Sequence, residues 1–165
     1  MEAPPAPRRE TILHDPSEEV AMNDPIASVL QHKGSDVVTV SPETTVLVAV
    51  QQMNDRKIGA LLVLERGQPV GIFTERDVLV RVVAAGADPK TTTVSAVMTR
   101  NPVMVRSDVT VAEAMVVVTE RRCRHLPVVD DSKLRGLISI GDLTSWLVRH
   151  QQRTIEDLHD YMTRA

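Results

Sequence analysis

The chain has 165 residues, 42% of them hydrophobic, enough for one compact domain or two small ones packed closely together. Its 19 Lys and Arg against 22 Asp and Glu leave a formal net charge of -3, and the only aromatic residues are Phe73, Trp146 and Tyr161, so both the basic field and the base-stacking side chains of a nucleic-acid binder are missing. A single cysteine, Cys123, excludes an intramolecular disulfide, and no apolar run reaches the roughly 18–20 residues that cross a bilayer, so a reducing, cytoplasmic setting away from membranes is expected.

Residues 1–23 are rich in proline and charge (Pro4, Pro5, Pro7, Arg8, Arg9, Glu18, Glu19) and show no sustained period, which reads as a flexible N-terminal extension. Beyond it the sequence repeats. Residues 38–80 match 103–145 without a gap at a constant shift of 65, which pairs Val40 with Val105, Thr45 with Thr110, Arg56 with Arg121, Leu61 with Leu126, Gly71 with Gly136 and Asp77 with Asp142. The chain divides accordingly into a first repeat over 24–87, a second over 88–145 and a C-terminal helical extension over 146–165.

Each copy carries the same signals in the same order. A short strand (37–40; 103–105) leads to Thr45 or Thr110 as N-cap, the second completed as a capping box by Glu113. Val46, Ala49, Val50 and Met53, and Val111, Ala114, Met115 and Val118, then recur at i, i+3, i+4, i+7 on one helix face. Two strands follow (60–64 and 70–73; 126–129 and 134–138) around a short polar turn, which predicts a hairpin, and Thr74 or Ser139 opens a last helix, the first stopping near Gly86. The predicted fold is α+β, two β-α-β-β-α units in one molecule. In the final segment Trp146, Leu147, Ile155, Leu158, Tyr161 and Met162 are spaced as a helical stripe, which either covers its own domain or docks on a second subunit.

Chemistry concentrates at two equivalent places. Gly71–Asp77 (GIFTERD) and Gly136–Asp142 (GLISIGD) put a hydroxyl and a carboxylate three residues apart at a helix start. Free backbone N–H groups and a partial positive charge there suit a phosphate, and Asp77 or Asp142 can accept from the hydroxyls of a ribose. The same T-x-x-D pattern is also an ordinary capping box.

Both copies resemble the CBS domain, and residues 25–145 are similar to a tandem CBS pair. The resemblance rests on TVSPETTVLVAVQQM, KIGALLVLERGQPVGIFTERD, RHLPVVDDSKLRGLISIGD and the link VSAVMTRNPV, with Pro25–Leu30 echoing Val94–Met98 as a lead-in helix. It implies a pseudo-twofold pair whose clefts each take an adenine nucleotide such as AMP, ADP or ATP, with NAD or S-adenosylmethionine rarer. Thr74 and Asp77 then match the phosphate and ribose positions of one cleft, and Ser139 and Asp142 those of the other. Lys57 and Arg122 match basic phosphate contacts, Arg76, Arg124 and His125 are further candidates, and Ile58, Ala60, Met98 and Cys123 would line the adenine. Copy two has Ile140 and Gly141 where copy one has Glu75 and Arg76, so the two sites are expected to differ in affinity or ligand.

The implied function is that of a regulatory sensor that signals to an effector protein through a conformational change. The alternative is a structural dimerisation or scaffold module with no ligand. Catalysis is not expected: Cys123 aligns with the packing position Ile58, and no orienting acid or oxyanion site accompanies the Cys123 and His125 pair. Nor do His14, His32, His150 and His159 have metal-ligand spacing. Four successive apolar residues, Met115–Val118, wrap more than one face of their helix, so one face is left for a partner, and because the resemblance implies that such helices meet those of the other repeat and of a second chain, a homodimer is expected.

Overall fold

The computed structural model is described for residues 16–164, and in side-chain detail for 19–152 and Glu156. In copy one, β1 (Thr39–Val40) runs parallel to β2 (Ala60–Glu65), and β2 pairs antiparallel with β3 (Gln68–Thr74). Helix α3 (Val46–Arg56) bridges β1 and β2; the Thr45 hydroxyl accepts from Val48 N–H at its start, and Lys57 in the left-handed region ends it. Val46, Ala49 and Met53 of its predicted stripe are buried against Leu61, Val63 and Phe73 of the hairpin.

Copy two repeats this with α6 (Val111–Arg121), capped by the expected Thr110 and Glu113 box, and the hairpin β5 (His125–Asp130) and β6 (Lys133–Ser139). Both hairpins turn on two residues of positive φ, Arg66–Gly67 and Asp131–Ser132, the conformation whose twist matches that of antiparallel strands. Both carry an irregularity at the same place, Val63/Leu64 and Val128/Val129. The expected strand at 103–105 is reduced to a single parallel bridge, Val105 to Val128.

The short helices ahead of each copy pack on the other copy. Helix α2 (Ile26–Lys33) buries Ile26, Val29 and Leu30 among Val111, Ala114, Leu126 and Ile138 of copy two. Helix α5 (Val94–Val97) buries Val94, Val97 and the adjoining Met98 among the residues of copy one. Matched hydrogen bonds fix the exchange. Ile26 N–H donates to Val109 O as Val94 N–H does to Thr44 O, and Val111 N–H donates to Asp24 O as Val46 N–H does to Thr92 O. A cut between residues 87 and 88 therefore divides the sequence but not the packing.

The two exchanged segments differ in length. After α5 the chain extends into β4 (Thr99–Arg100), which covers the outer edge of β3 through Ile72↔Thr99 and Gly71↔Arg100. Helix α2 instead runs eight residues to Lys33, so among the described residues no strand covers the corresponding edge of β6, and the sheet of copy two has two strands.

Three expectations change at the ends of the copies. The extension expected to be flexible through residue 23 is helical from Pro16: α1 (Pro16–Asn23) buries Ala21 and packs on α6 and α7. Its earlier part, 1–15, lies outside the described residues. The helix after copy two and the C-terminal extension are one element, α7 (Ile140–Arg164), which places Leu143 in the second core with Trp146 and Leu147 packed beside it. The side chains of Ile155, Leu158, Tyr161 and Met162 lie outside the described residues. After β3 there is one short α turn, α4 (Glu75–Asp77), and then a π-helix over Val78–Val83.

Candidate functional site

The two hydroxyl and carboxylate pairs stand at equivalent strand ends. Thr74 closes β3 opposite Ala60, and Ser139 closes β6 opposite His125. In both copies the carboxylate completes a capping box. Asp77 Oδ2 accepts from Thr74 N–H at 2.9 Å and from the Thr74 hydroxyl at 2.7 Å; Asp142 Oδ2 accepts from Ser139 N–H at 2.7 Å and from the Ser139 hydroxyl at 2.8 Å. The local capping chemistry is thus present twice.

What surrounds the two carboxylates differs. Asp77 is 7% exposed. Its Oδ1 accepts from the Thr99 hydroxyl at 3.5 Å and pairs with Arg81, one helical turn on, also at 3.5 Å. The Arg81 guanidinium also donates to the Val97 and Met98 carbonyls at 2.9 and 2.6 Å. In copy two the position of Arg81 belongs to Trp146, whose Nε1–H donates to Asp24 at 3.0 Å. There the cation is Lys33, from the end of α2, with its Nζ 2.5 Å from Asp142 Oδ2 and 2.7 Å from the Leu137 carbonyl it donates to.

The charges follow from this arrangement. Burial pushes the Asp142 carboxyl up, but the hydrogen bonds from Lys33 and Ser139 together outweigh it and hold the group below the ordinary carboxylate range. His125, half-buried beside Ser139, is pushed down by burial and further by the Lys33 charge, with Asp142 opposing. Burial pushes the Cys123 thiol up, away from the thiolate form a nucleophile needs.

The structure brings Thr74, Asp77 and Ala60 together at one strand end, and Ser139, Asp142, His125 and the adjoining Arg124 at the other. Backbone bonds from Glu75 N–H to the Gly59 carbonyl and from Ile140 N–H to the Arg124 carbonyl tie each helix start to the foot of its hairpin. Lys57 and Arg122 are exposed residues that end α3 and α6 in the left-handed region, and Arg76 and Arg124 are exposed as well. Ile58 and Cys123 pack half-buried against their own cores, and Met98 is buried over Gly71, where a Cβ would collide with its sulfur. Lys33 was absent from the candidate residues; its sequence signal, a lysine in the last turn of a helix followed by glycine, is common to ordinary helix ends. Among the described residues no three His, Cys, Asp or Glu side chains are placed to hold a metal ion, and no helix is long and apolar enough to cross a membrane.

Comparison with known proteins converges on one family. The CBS domain matches residues 19–84 and again 94–149. The CBS domain-containing protein CBSX3, mitochondrial, of Arabidopsis thaliana is 32% identical over 146 residues, which cover 83% of this chain and 71% of that protein. Two other Arabidopsis relatives matched over 107 residues are much longer, and the matches span only 20% and 19% of their length. Among solved structures, a protein from Burkholderia ambifaria described as a signal-transduction protein with CBS domains is 38% identical with a TM-score of 0.74, covering 76% of this chain and 95% of that one. A hexameric CBS-CP12 protein from bloom-forming cyanobacteria is 32% identical with a TM-score of 0.68, covering 74% of this chain and 67% of that one.

Proposed function

This chain belongs to the CBS-domain family, and on that premise we propose that it is a regulatory module, not an enzyme, that binds an adenine nucleotide between its two repeats and passes the event to an effector protein. AMP, ADP and ATP are the expected ligands, with NAD and S-adenosylmethionine behind them. The observation that carries the reading is the reciprocal exchange of α2 and α5, because each copy's candidate residues stand beside an element supplied by the other copy's lead-in. A ligand that favours one arrangement of a strand end is then coupled to the packing of both copies, which is how differential binding shifts a conformational equilibrium.

The ligand-free alternative, a structural dimer, is favoured by a different observation. Both carboxylates are satisfied by their own capping boxes, while Val116 of α6 is 54% exposed and Leu79, Val80 and Val83 of the π-helix are exposed as well. The predicted apolar run of α6 resolves accordingly: Val118 is in the core, Met115 and Val117 are partly buried beside it, and Val116 alone faces outward. A homodimer through this surface is compatible with either reading.

Thermal unfolding with AMP, ADP, ATP, NAD and S-adenosylmethionine separates the two. A ligand bound only by the native state adds about 2.7 kcal/mol at a hundredfold excess over Kd, which moves Tm by roughly 5–11 °C for a chain of this size. An unmoved Tm with all five, together with a dimeric mass by light scattering, sinks the sensor reading in favour of the scaffold.

A further inference from the structure

We propose that Lys33 sets the preference of the second cleft for phosphorylated ligands, acting as a cation delivered by the other copy's lead-in helix. The inference rests on the nucleotide-binding reading above and goes beyond it in assigning the discrimination between a nucleotide and its uncharged nucleoside to one residue of one cleft.

The argument begins at the open edge of β6. In copy one β4 covers the matching edge of β3, and the position corresponding to Lys33 in the exchanged segment is Asn101, which carries no charge. In copy two α2 stays helical to its last turn, and the uncovered Leu137 carbonyl accepts from the Lys33 ammonium. The same ammonium pairs with Asp142, and its side chain remains 34% exposed against 23% for Asp142. An ammonium has three N–H donors. Two are engaged here, by Leu137 and Asp142, which leaves one for a ligand oxygen.

The electrostatics give that third donor its consequence. Asp142 is a carboxylate at the place where a phosphorylated ligand would enter, and alone it would repel one. Lys33 cancels that charge, and of the two further charges that act on His125, Arg124 is balanced by the Glu75 carboxylate of copy one, so without Lys33 the strand end would carry a net negative charge. Copy one is built otherwise. Arg81 comes from the same helix as Asp77, donates to two backbone carbonyls and leaves that carboxylate nearly sealed. The asymmetry between the two strand ends therefore turns on where the cation comes from, in addition to the Arg76 and Gly141 difference visible in the sequence.

Isothermal titration of the full chain with AMP and with adenosine, for the native protein, Lys33→Met and Lys33→Arg, tests this. A charge-assisted contact and the charge it neutralises predict that Lys33→Met weakens AMP by about tenfold or more while adenosine changes by less than about threefold. Lys33→Arg keeps most of the AMP preference and preserves the test if Lys33→Met fails to fold. Equal weakening of AMP and adenosine overturns the proposal, since that is what a purely structural lysine would do, and so does an unchanged AMP affinity. Absence of AMP binding by the native protein refutes the nucleotide reading itself and the assignment with it.

Discussion

The exchange of lead-in helices can be tested at one contact, between Leu30 of α2 and Gly136 of β6. A Cβ built on Gly136 would lie 2.6 Å from Leu30 Cδ2 and 3.2 Å from Cδ1. Carbon atoms rest about 3.5–4.0 Å apart, so the Leu30 side chain must withdraw by roughly 1 Å to admit one methyl group. That side chain is 7% exposed in a well-filled core, and overpacking of this kind costs about 1–3 kcal/mol in Gly136→Ala. Leu30→Ala removes the obstructing group and costs about 2–5 kcal/mol as a buried leucine. In the double variant the new methyl enters the space the leucine left, so the combined loss should fall short of the sum by about 1–2 kcal/mol. Urea denaturation of the four proteins, fitted with a common m-value, measures this coupling. Strict additivity within about 0.3 kcal/mol would mean that α2 does not lie on β6 and would undo the account of the exchange.

Two further outcomes follow from the site and from α7. Asp142 is held below its ordinary range in the folded chain, so the stability it adds is fully present above the unfolded value near about 4 and is lost as pH falls through the lowered folded value; Asp142→Asn should flatten the decline in urea midpoint between about pH 5 and pH 2 relative to the native protein. An equally steep decline in the variant would assign the acid sensitivity elsewhere. Trp146→Phe keeps most of the ring but leaves Asp24 without its indole donor, a hydrogen bond to a charged group whose loss costs about 1.5–3 kcal/mol, and hydrogen exchange should show faster opening of α7 around residues 140–150; unchanged protection there would remove this anchor from the account.

The parts of this molecule that were legible in the sequence are those governed by neighbours along the chain. Thr45, Thr110 and Glu113 announce helix starts because capping acts over three residues, and the stripes of α3 and α6 announce buried faces because a helix repeats every 3.6. The hairpins follow from strand composition and short turns. The exchange of α2 and α5 was not legible, because both cores are lined by the same residue types, and Ile26, Val29 and Leu30 would satisfy either one by composition. Helix α1 was missed because its stability comes from packing on α6 and α7 and not from a periodic pattern of its own. At the candidate site, Asp77 and Asp142 were found from the repeat, whereas Lys33 is separated from Asp142 by 109 residues and no local rule joins them.

The order in which the chain is made gives the exchanged helices a temporal meaning. Copy one can close its core as soon as α5 follows it, by about residue 98. Helix α2 is made far earlier, yet its seat is assembled from Val109, Val111, Leu126, Ile138 and Leu143, the last of them more than a hundred residues downstream. Until then Ile26, Val29 and Leu30 lack the core they pack into, while the residues of copy one already have theirs. The second copy, in this sense, is the event that retires the exposed surface of the first, and any pause in synthesis between residues 100 and 143 would prolong the interval in which α2 is open to a wrong partner.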